Sequence, residues 1–501
     1  MHLLKFWDVV DRHEDYKLVG ATWVFKIKRN ERNEPIEHKA WLCAQGFTQS
    51  MGIDFSKTYA PTGRLNSLRT LVAFACVNKL QFHQIDIKSA FLNAQLKETV
   101  YLAVPQGLQL NKQRFFLRLN KAIYGLRQAP LAWYERLKNW LESVKFSVCT
   151  LDPCVFYRAG STPVWLYIHV DDIGIFSKNT AFFKAEIEKE FNIKDIGEAD
   201  LMLGIKIRHM EDSISLDQQH FTEVLLEQYG MDTCKAVTTL LTPNEHLCPA
   251  TDNEIAAFKD LKVNYRSAIG SINYPSMATR PDLSFPVSTL SQYLEWPGIK
   301  HWRAFLHVLK YLRGTSSVGL WYPIDKGNKV TAYSDADWGN CKITRQSTTE
   351  AEYKAVCDLT SELLWFKQWC EEAKLVTFNE PIRIYEDNRS CIKTANGDCN
   401  LNNKRMKHVD IQLHFIKEAI QNNLIQLLYT PTTHMLADFL TKSVNKITLD
   451  NSLHELNLLR LGVRGDVEIL TQKGLVLSRT PSSNNIPIET RISINADTVQ
   501  Q

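Results

Sequence analysis

Residues 164–176 read VWLYIHVDDIGIF, an apolar, β-branched and aromatic run with two adjacent carboxylates, Asp171 and Asp172, at its centre. The composition predicts a buried pair of strands. Two neighbouring negative charges are costly there unless a cation neutralises them. A tight turn whose carboxylates grip a divalent ion would answer that cost and would suit phosphoryl transfer. A solvent-open Asp-Asp hairpin turn is the other reading of this segment alone. The segment QFHQIDIKSAFLN (81–93) adds a second strand interrupted by acid, with Asp86 between Ile85 and Ile87. Three carboxylates brought to one sheet edge could hold two ions roughly 3.5–4 Å apart, the arrangement that stabilises both oxygens of an in-line displacement at phosphorus.

A series of further segments carries a family resemblance: ATWVFKIKRN (21–30), KAWLCAQGFTQ (39–49), YAPTGRLNSLR (59–69), YGLRQAPLAWY (124–134), YRSAIGSINY (265–274), YSDADWG (333–339), TTEAEY (348–353), EDN (386–388), KHVDIQLHFIKE (407–418) and LADFLTK (436–442). With QIDIKSAFLN and HVDD, and in this order, the chain resembles the Pol polyprotein of copia-type LTR retrotransposons from about Gly20 to about Gly462. The resemblance covers the reverse transcriptase and RNase H portions. It implies an α+β fold: a right-hand polymerase (fingers, palm and thumb), then a truncated RNase H-like α/β domain. The boundaries expected are 1–237 for fingers and palm, 238–325 for a helical thumb or connection, 326–447 for a shortened RNase H-like domain, and 448–501 for a partly disordered tail.

The resemblance assigns the polymerase metal ligands to Asp86, Asp171 and Asp172, with the Ile87 carbonyl as a further ligand. It implies two Mg2+ per active site, with Mn2+ as a possible substitute. Phe91 would wall off a 2′-hydroxyl and select deoxynucleotides. Lys39 would grip the triphosphate, and Tyr124, Gly125 and Gln128 would lie beside the nucleotide. Two departures stand out. Trp41 replaces an Arg expected in KAWLCAQGF, which removes a charge-assisted phosphate contact. His169 replaces the Tyr expected before Val-Asp-Asp. The nuclease carboxylates and metal ligands would be Asp335, Glu352, Asp387 and Asp438, with His434 in proton handling or product release. Implied partners are an RNA template, a DNA primer, an RNA–DNA hybrid and dNTPs. RNA-dependent DNA polymerase is the leading reading, and a decayed transposon fragment that binds nucleic acid without catalysis is the alternative.

Only 16 residues separate Asp335 from Glu352. That is too few for the two further sheet strands of the family at roughly 3.3 Å per residue plus turns. The expectation is an exposed sheet edge, an exposed apolar face on the 350–374 helix, and a defective nuclease.

Composition is compatible with this reading. The net charge is only +4, so basicity shows as local clusters: eight Lys/Arg between Lys112 and Lys145, a second group over Lys300–Arg313, and Lys404–His408. Such clusters could follow phosphates or line solvated helix faces. Eleven scattered cysteines without a Cys-x-x-Cys pair suggest reduced thiols in an intracellular protein, cytoplasmic (in virus-like particles) or nuclear. No membrane span is expected, and the oligomeric state is left open. Capsid, protease and integrase motifs of the longer polyprotein are not found, so the chain reads as a processed-like fragment or a truncated copy. Helices are expected over 64–79, 86–97, 129–146, 179–191, 221–229, within 264–314, and over 350–374, 388–396 and 407–422. Strand pairs are expected over 21–49, 151–177 and 200–217, with single strands at 330–335 and 381–386, a linker at 238–253 and a flexible end after 463.

Overall fold

The computed structural model describes residues 6–29, 34–242, 247–324, 330–336, 348–397, 407–461, 467–470, 476–478 and 490–493. Two compact units emerge: residues 1–71 with 80–199, and 72–79 with 200–501. Both mix helix and sheet, as α+β folds do.

In the first unit, β1 (Ala21–Arg29) and β2 (Pro35–Ala44) form an antiparallel ribbon. A two-stranded ribbon has little to bury, and Trp23, Val24, Phe25 and Ile27 remain exposed. Next come β3 (Gln81–Ile87) and β4 (Gln95–Leu102), then helix α1 (Ala129–Ser143). β5 (Val155–Arg158), β6 (Val164–His169), β7 (Asp172–Ser177) and β8 (Ile193–Glu198) complete the main elements. A six-stranded antiparallel sheet runs β8, β3, β7, β6, β5 and Ser147–Val148. The apolar run at 164–176 becomes β6 and β7, buried on both faces as its composition predicts. Helix α1 lays Trp133, Leu137, Trp140 and Leu141 into the same core as Leu166, Ile175 and Phe183.

The helix expected over 86–97 does not form. After β3 the chain stays tied to the sheet, because Ile87 N donates to Asp171 O and Lys88 N to Asn192 O. Ser89 turns through φ +52°, a short 3₁₀ turn spans Ala90–Asn93, and β4 follows with alternating burial. The two-residue periodicity of QLKETVYL outweighs the helix propensity of its Gln, Leu, Lys and Glu.

In the second unit, β9 (Ile205–Met210) and β10 (Ser213–Asp217) pair as the expected hairpin, and β10 pairs with β11 (Val318–Pro323). That pairing ties residues 205–217 to a strand of the second unit. Helices Tyr265–Ala278 and Ile299–Gly314 pack Ile269, Ile272, Phe305 and Leu309 into a common core.

A parallel sheet follows. It combines β12 (Val330–Tyr333), helix α2 (Thr348–Glu372), β13 (Ile382–Glu386), helix α3 (Lys407–Gln421) and β14 (Ile425–Tyr429). β13 lies between β12 and β14. The one-turn helix α4 (Asp438–Thr441) and α5 (Lys446–Glu455) lead into β15 (Leu458–Leu461), which pairs with β11. The expected tail is therefore partly built into the fold: Leu449, Leu453 and Leu458 lie in the helical core, because α5 and β15 each present an apolar face. Its TPSSNN stretch (480–485) lies outside the described residues, as does Lys404–Met406.

Two expectations for the shortened region are corrected. The far edge of β12 is covered by β16 (Thr490–Ser493), which pairs with it in parallel. The apolar face of α2 is covered too: Tyr353, Val356, Leu359 and Leu363 are buried with Ile384, Leu413 and Ile416. A parallel sheet backed by two helices supplies the cover that further strands were expected to give. Residues 337–347, where those strands were judged not to fit, lie outside the described residues.

Candidate active sites

The first site sits where β3 and β6 end and β7 begins. Asp172 and Asp86 are direct partners across antiparallel strands, so their side chains leave the same face of the sheet. His169 pairs with Asp172, and Val170 and Asp171 form the two-residue hairpin loop. Val170 adopts φ +59°, a left-handed conformation that a β-branched residue resists. Two hydrogen bonds to backbone carbonyls hold the loop there. Trp133 Nε1 donates to Val170 O at 2.7 Å, and Ile87 N donates to Asp171 O at 2.8 Å.

Burial pushes the Asp172 carboxyl up to about 6, the Gln84 amide opposes the rise from 2.6 Å, and the charges of Asp171 and Asp86 add to it. Asp171 is also raised by burial and by Asp86, against the pull of the Lys39 ammonium. Partly buried like charges with one cation nearby are a site short of positive charge, which is the donor chemistry of a divalent ion. The residues present fit such a group. Their carboxylate oxygens do not all approach within 4.8 Å, as those of the second site do.

Of the remaining sequence candidates, Tyr124 and Lys39 interact electrostatically with the hairpin acid Asp171. The Tyr124 hydroxyl is raised by burial and by Asp171 and Asp86. Its ring stands edge-on to Phe91 with centroids 4.8 Å apart. Gly125 adopts φ +87°, and a Cβ there would lie 2.1 Å from Ala44 O. Ala44 N in turn donates to Tyr124 O at 2.8 Å. Glycine lets the end of β2 lie directly against the Tyr124 turn. Lys39 lies over the Trp41 ring, 5.7 Å from its centroid. The residue that departs from the family thus steers Lys39 by a cation–π contact.

Gln128 is buried, receives a hydrogen bond from Gln49 Nε2 and donates its own amide to Asp54 O, so both ends of its amide tie it to the 49–54 loop. Burial lowers the His169 imidazole pKa, so its ring is neutral near pH 7.

The second site lies at the ends of β12 and β13. Oxygens of Asp335, Glu352 and Asp387 lie within 4.8 Å of one another. Burial and neighbouring carboxylates raise Glu352 far above the carboxylate range, and one of its oxygens has no hydrogen-bond partner. That orphaned, buried oxygen fits a cation. Asp438, at the start of α4, is raised to about 6 by burial, with Asp335 adding to the rise and Lys442 opposing it. Asp335, Glu352 and Asp387 thus share one cluster, and Asp438 feels the charges of Asp335 and Asp387 beside it. Thr432 donates to Asp387 Oδ2 at 2.6 Å, while His434 on the same turn is exposed and touches Thr433.

Sequence reasoning missed several participants. Gln84 precedes Asp86 by two residues, a same-face spacing in a strand. Glu386 is fully buried, and burial raises its carboxyl strongly. Lys442 follows Asp438 by one helical turn. The indole of Trp133 carried no local signal. Part of the first two basic clusters is ion-paired: Arg114 with Asp11, Arg118 with Asp8, Arg136 with Glu190, Lys138 with Glu142 and Lys300 with Glu254.

The family model for reverse transcriptase (RNA-dependent DNA polymerase) matches residues 4–243. The chain is 33% identical over 475 residues to the retrovirus-related Pol polyprotein from transposon TNT 1-94 of Nicotiana tabacum, covering 86% of this chain and 35% of that one. It is 30% identical over 261 residues to the putative transposon Ty5-1 protein YCL074W of Saccharomyces cerevisiae, covering 51% of this chain and 83% of that protein. A foamy viral protease-reverse transcriptase solved with double-stranded DNA gives a TM-score of 0.44 at 9% identity, over 85% of this chain and 67% of that one. The chain spans about a third of the length of the first curated relatives it matches. No helix among the described residues is long and apolar enough to cross a membrane.

Proposed function

Since the chain belongs to the reverse transcriptase family of copia-type transposon Pol polyproteins, we propose that it extends a DNA primer on an RNA template with dNTPs. The observation that supports this reading is the register that sets Asp86 opposite Asp172, with Asp171 in the adjoining hairpin loop. Two Mg2+ ions, or Mn2+ in their place, would be held there by these three acids. When bound they lower the pKa of the primer 3′-hydroxyl and neutralise charge on the α-phosphate.

The protein's own groups do the rest. The six-stranded sheet acts as palm and the β1–β2 ribbon as part of the fingers. Lys39, steered by Trp41, offers its ammonium to the triphosphate. Phe91, braced by Tyr124, floors the sugar and collides with a 2′-hydroxyl. Trp133 and Ile87 hold the hairpin that carries Asp171. The second site is read as a nuclease centre for an RNA–DNA hybrid, with Asp335, Glu352, Asp387 and Asp438 as its acids. The short span between Asp335 and Glu352 still argues for weak cleavage.

Mg2+-dependent primer extension on an RNA template tests the main reading. The wild type extends, and Asp171→Asn loses activity on the order of a hundredfold or more. Equal activity of the two proteins, or none in either, overturns it.

A further inference from the structure

Lys442 presents a cation to the second site from inside the protein. Its Nζ lies 2.8 Å from Asp438 Oδ1 and 3.7 Å from Asp335 Oδ2. Both acid side chains are nearly buried, at 7% and 5% exposure, whereas the lysine keeps 33%. The Thr441 hydroxyl donates to the same Asp335 oxygen. Asp335 also belongs to the tight group with Glu352 and Asp387. This one carboxylate therefore faces two places. One is a three-acid pocket whose Glu352 oxygen has no partner. The other is a two-acid pocket with an ammonium already in contact with both acids.

A two-metal phosphodiester centre needs two cations roughly 3.5–4 Å apart, sharing a carboxylate. Here one of the two places is filled by a tethered cation. We propose that Lys442 is a built-in competitor for the second divalent ion. Among the described residues no ion pair reaches Glu352 or Asp387, so an ion there meets less competition, whereas an ion between Asp335 and Asp438 must displace the ammonium. The flexible four-carbon stem and the partial exposure leave the head a path to solvent. Lys442 is thus a positioning residue that acts through Asp335 and Asp438. An ordinary i,i+4 ion pair on an exposed helix would do none of this. The proposal rests on reading this acid cluster as a metal centre.

The test uses the full chain carrying Asp86→Asn, Asp171→Asn and Asp172→Asn, so that only the second site contributes. Mn2+ binding is followed by calorimetry and by the loss of free Mn2+ resonance signal. The parent should bind one ion tightly and a second weakly. Lys442→Gln should tighten the second ion on the order of tenfold, and more than the first, because a positive charge leaves a poorly solvated site. Lys442→Arg should behave like the parent. Two ions of equal affinity in the parent, equal changes in both ions, or an Arg variant that matches the Gln variant would each overturn the proposal. If no variant binds any ion, the metal-centre reading itself falls. Circular dichroism in chelator and in Mn2+ keeps folding in view. Lys442→Gln should be less stable than the parent in chelator and recover in Mn2+, and failure to recover counts against the proposal.

Discussion

Replacing Asp172 by asparagine removes a charge but keeps the oxygen that accepts from Gln84. The Asp172 carboxyl stands at about 6 in the folded protein against an ordinary 3.8. A displacement of about two pH units corresponds to about 3 kcal/mol held against the ionised folded state. Asp172 is partly reached by solvent, so about half of that, ~1.5 kcal/mol, is the working value. The sign follows from proton counting. The folded state binds the proton more tightly than the unfolded chain, so stability falls as pH rises from about 4 through about 6. The neutral amide of the variant escapes that fall. In chelator at about pH 8, Asp172→Asn should raise the melting temperature by roughly 3–6 °C, and at about pH 4 the gain should vanish. Divalent ions should stabilise the wild type and narrow the gap, while primer extension drops in the variant. The assay is thermal unfolding by circular dichroism across pH, with and without Mg2+. A variant that melts lower at alkaline pH in chelator, or gains equally at both pH values, would refute the electrostatic account.

Other substitutions probe the supports of the first site and the competence of the second. Gly125→Ala puts a Cβ 2.1 Å from Ala44 O at φ +87°; it should cost roughly 2 kcal/mol or more, read by melting, and raise the nucleotide KM. Trp133→Phe deletes the donor to Val170 O and should cost about 1 kcal/mol, with kcat for extension falling more than nucleotide KM changes. With only 16 residues between Asp335 and Glu352, the chain should leave an RNA–DNA hybrid largely intact while it extends a primer; efficient, Asp335-dependent cutting on a labelled-RNA gel would contradict this.

Asp86, Asp171 and Asp172 were legible because they interrupt apolar strand-like runs, a local property, whereas the second-site acids were expected only from the family resemblance. Residues 164–177 therefore read correctly as paired strands. Residues 86–97 did not, since the bonds from Ile87 to Asp171 and from Lys88 to Asn192 join segments far apart in sequence. The hydrogen bonds of Gln128 were hidden for a related reason: its partners, Gln49 and Asp54, lie more than 70 residues away. The cover over β12 was likewise invisible, because it comes from Thr490–Ser493. Lys442 was open to inspection at i+4 from Asp438, but nothing local says that the pair faces Asp335.

The left-handed turn at Val170 has a consequence for how this chain can drift. A valine there stores roughly 1–3 kcal/mol, a debt met by the indole and amide clamps on either side. Glycine at that position would relax the backbone and yield a hardier protein, yet one whose acidic tip wanders. Selection for robustness alone would therefore loosen the tip first, leaving a sturdy scaffold with its acids out of place.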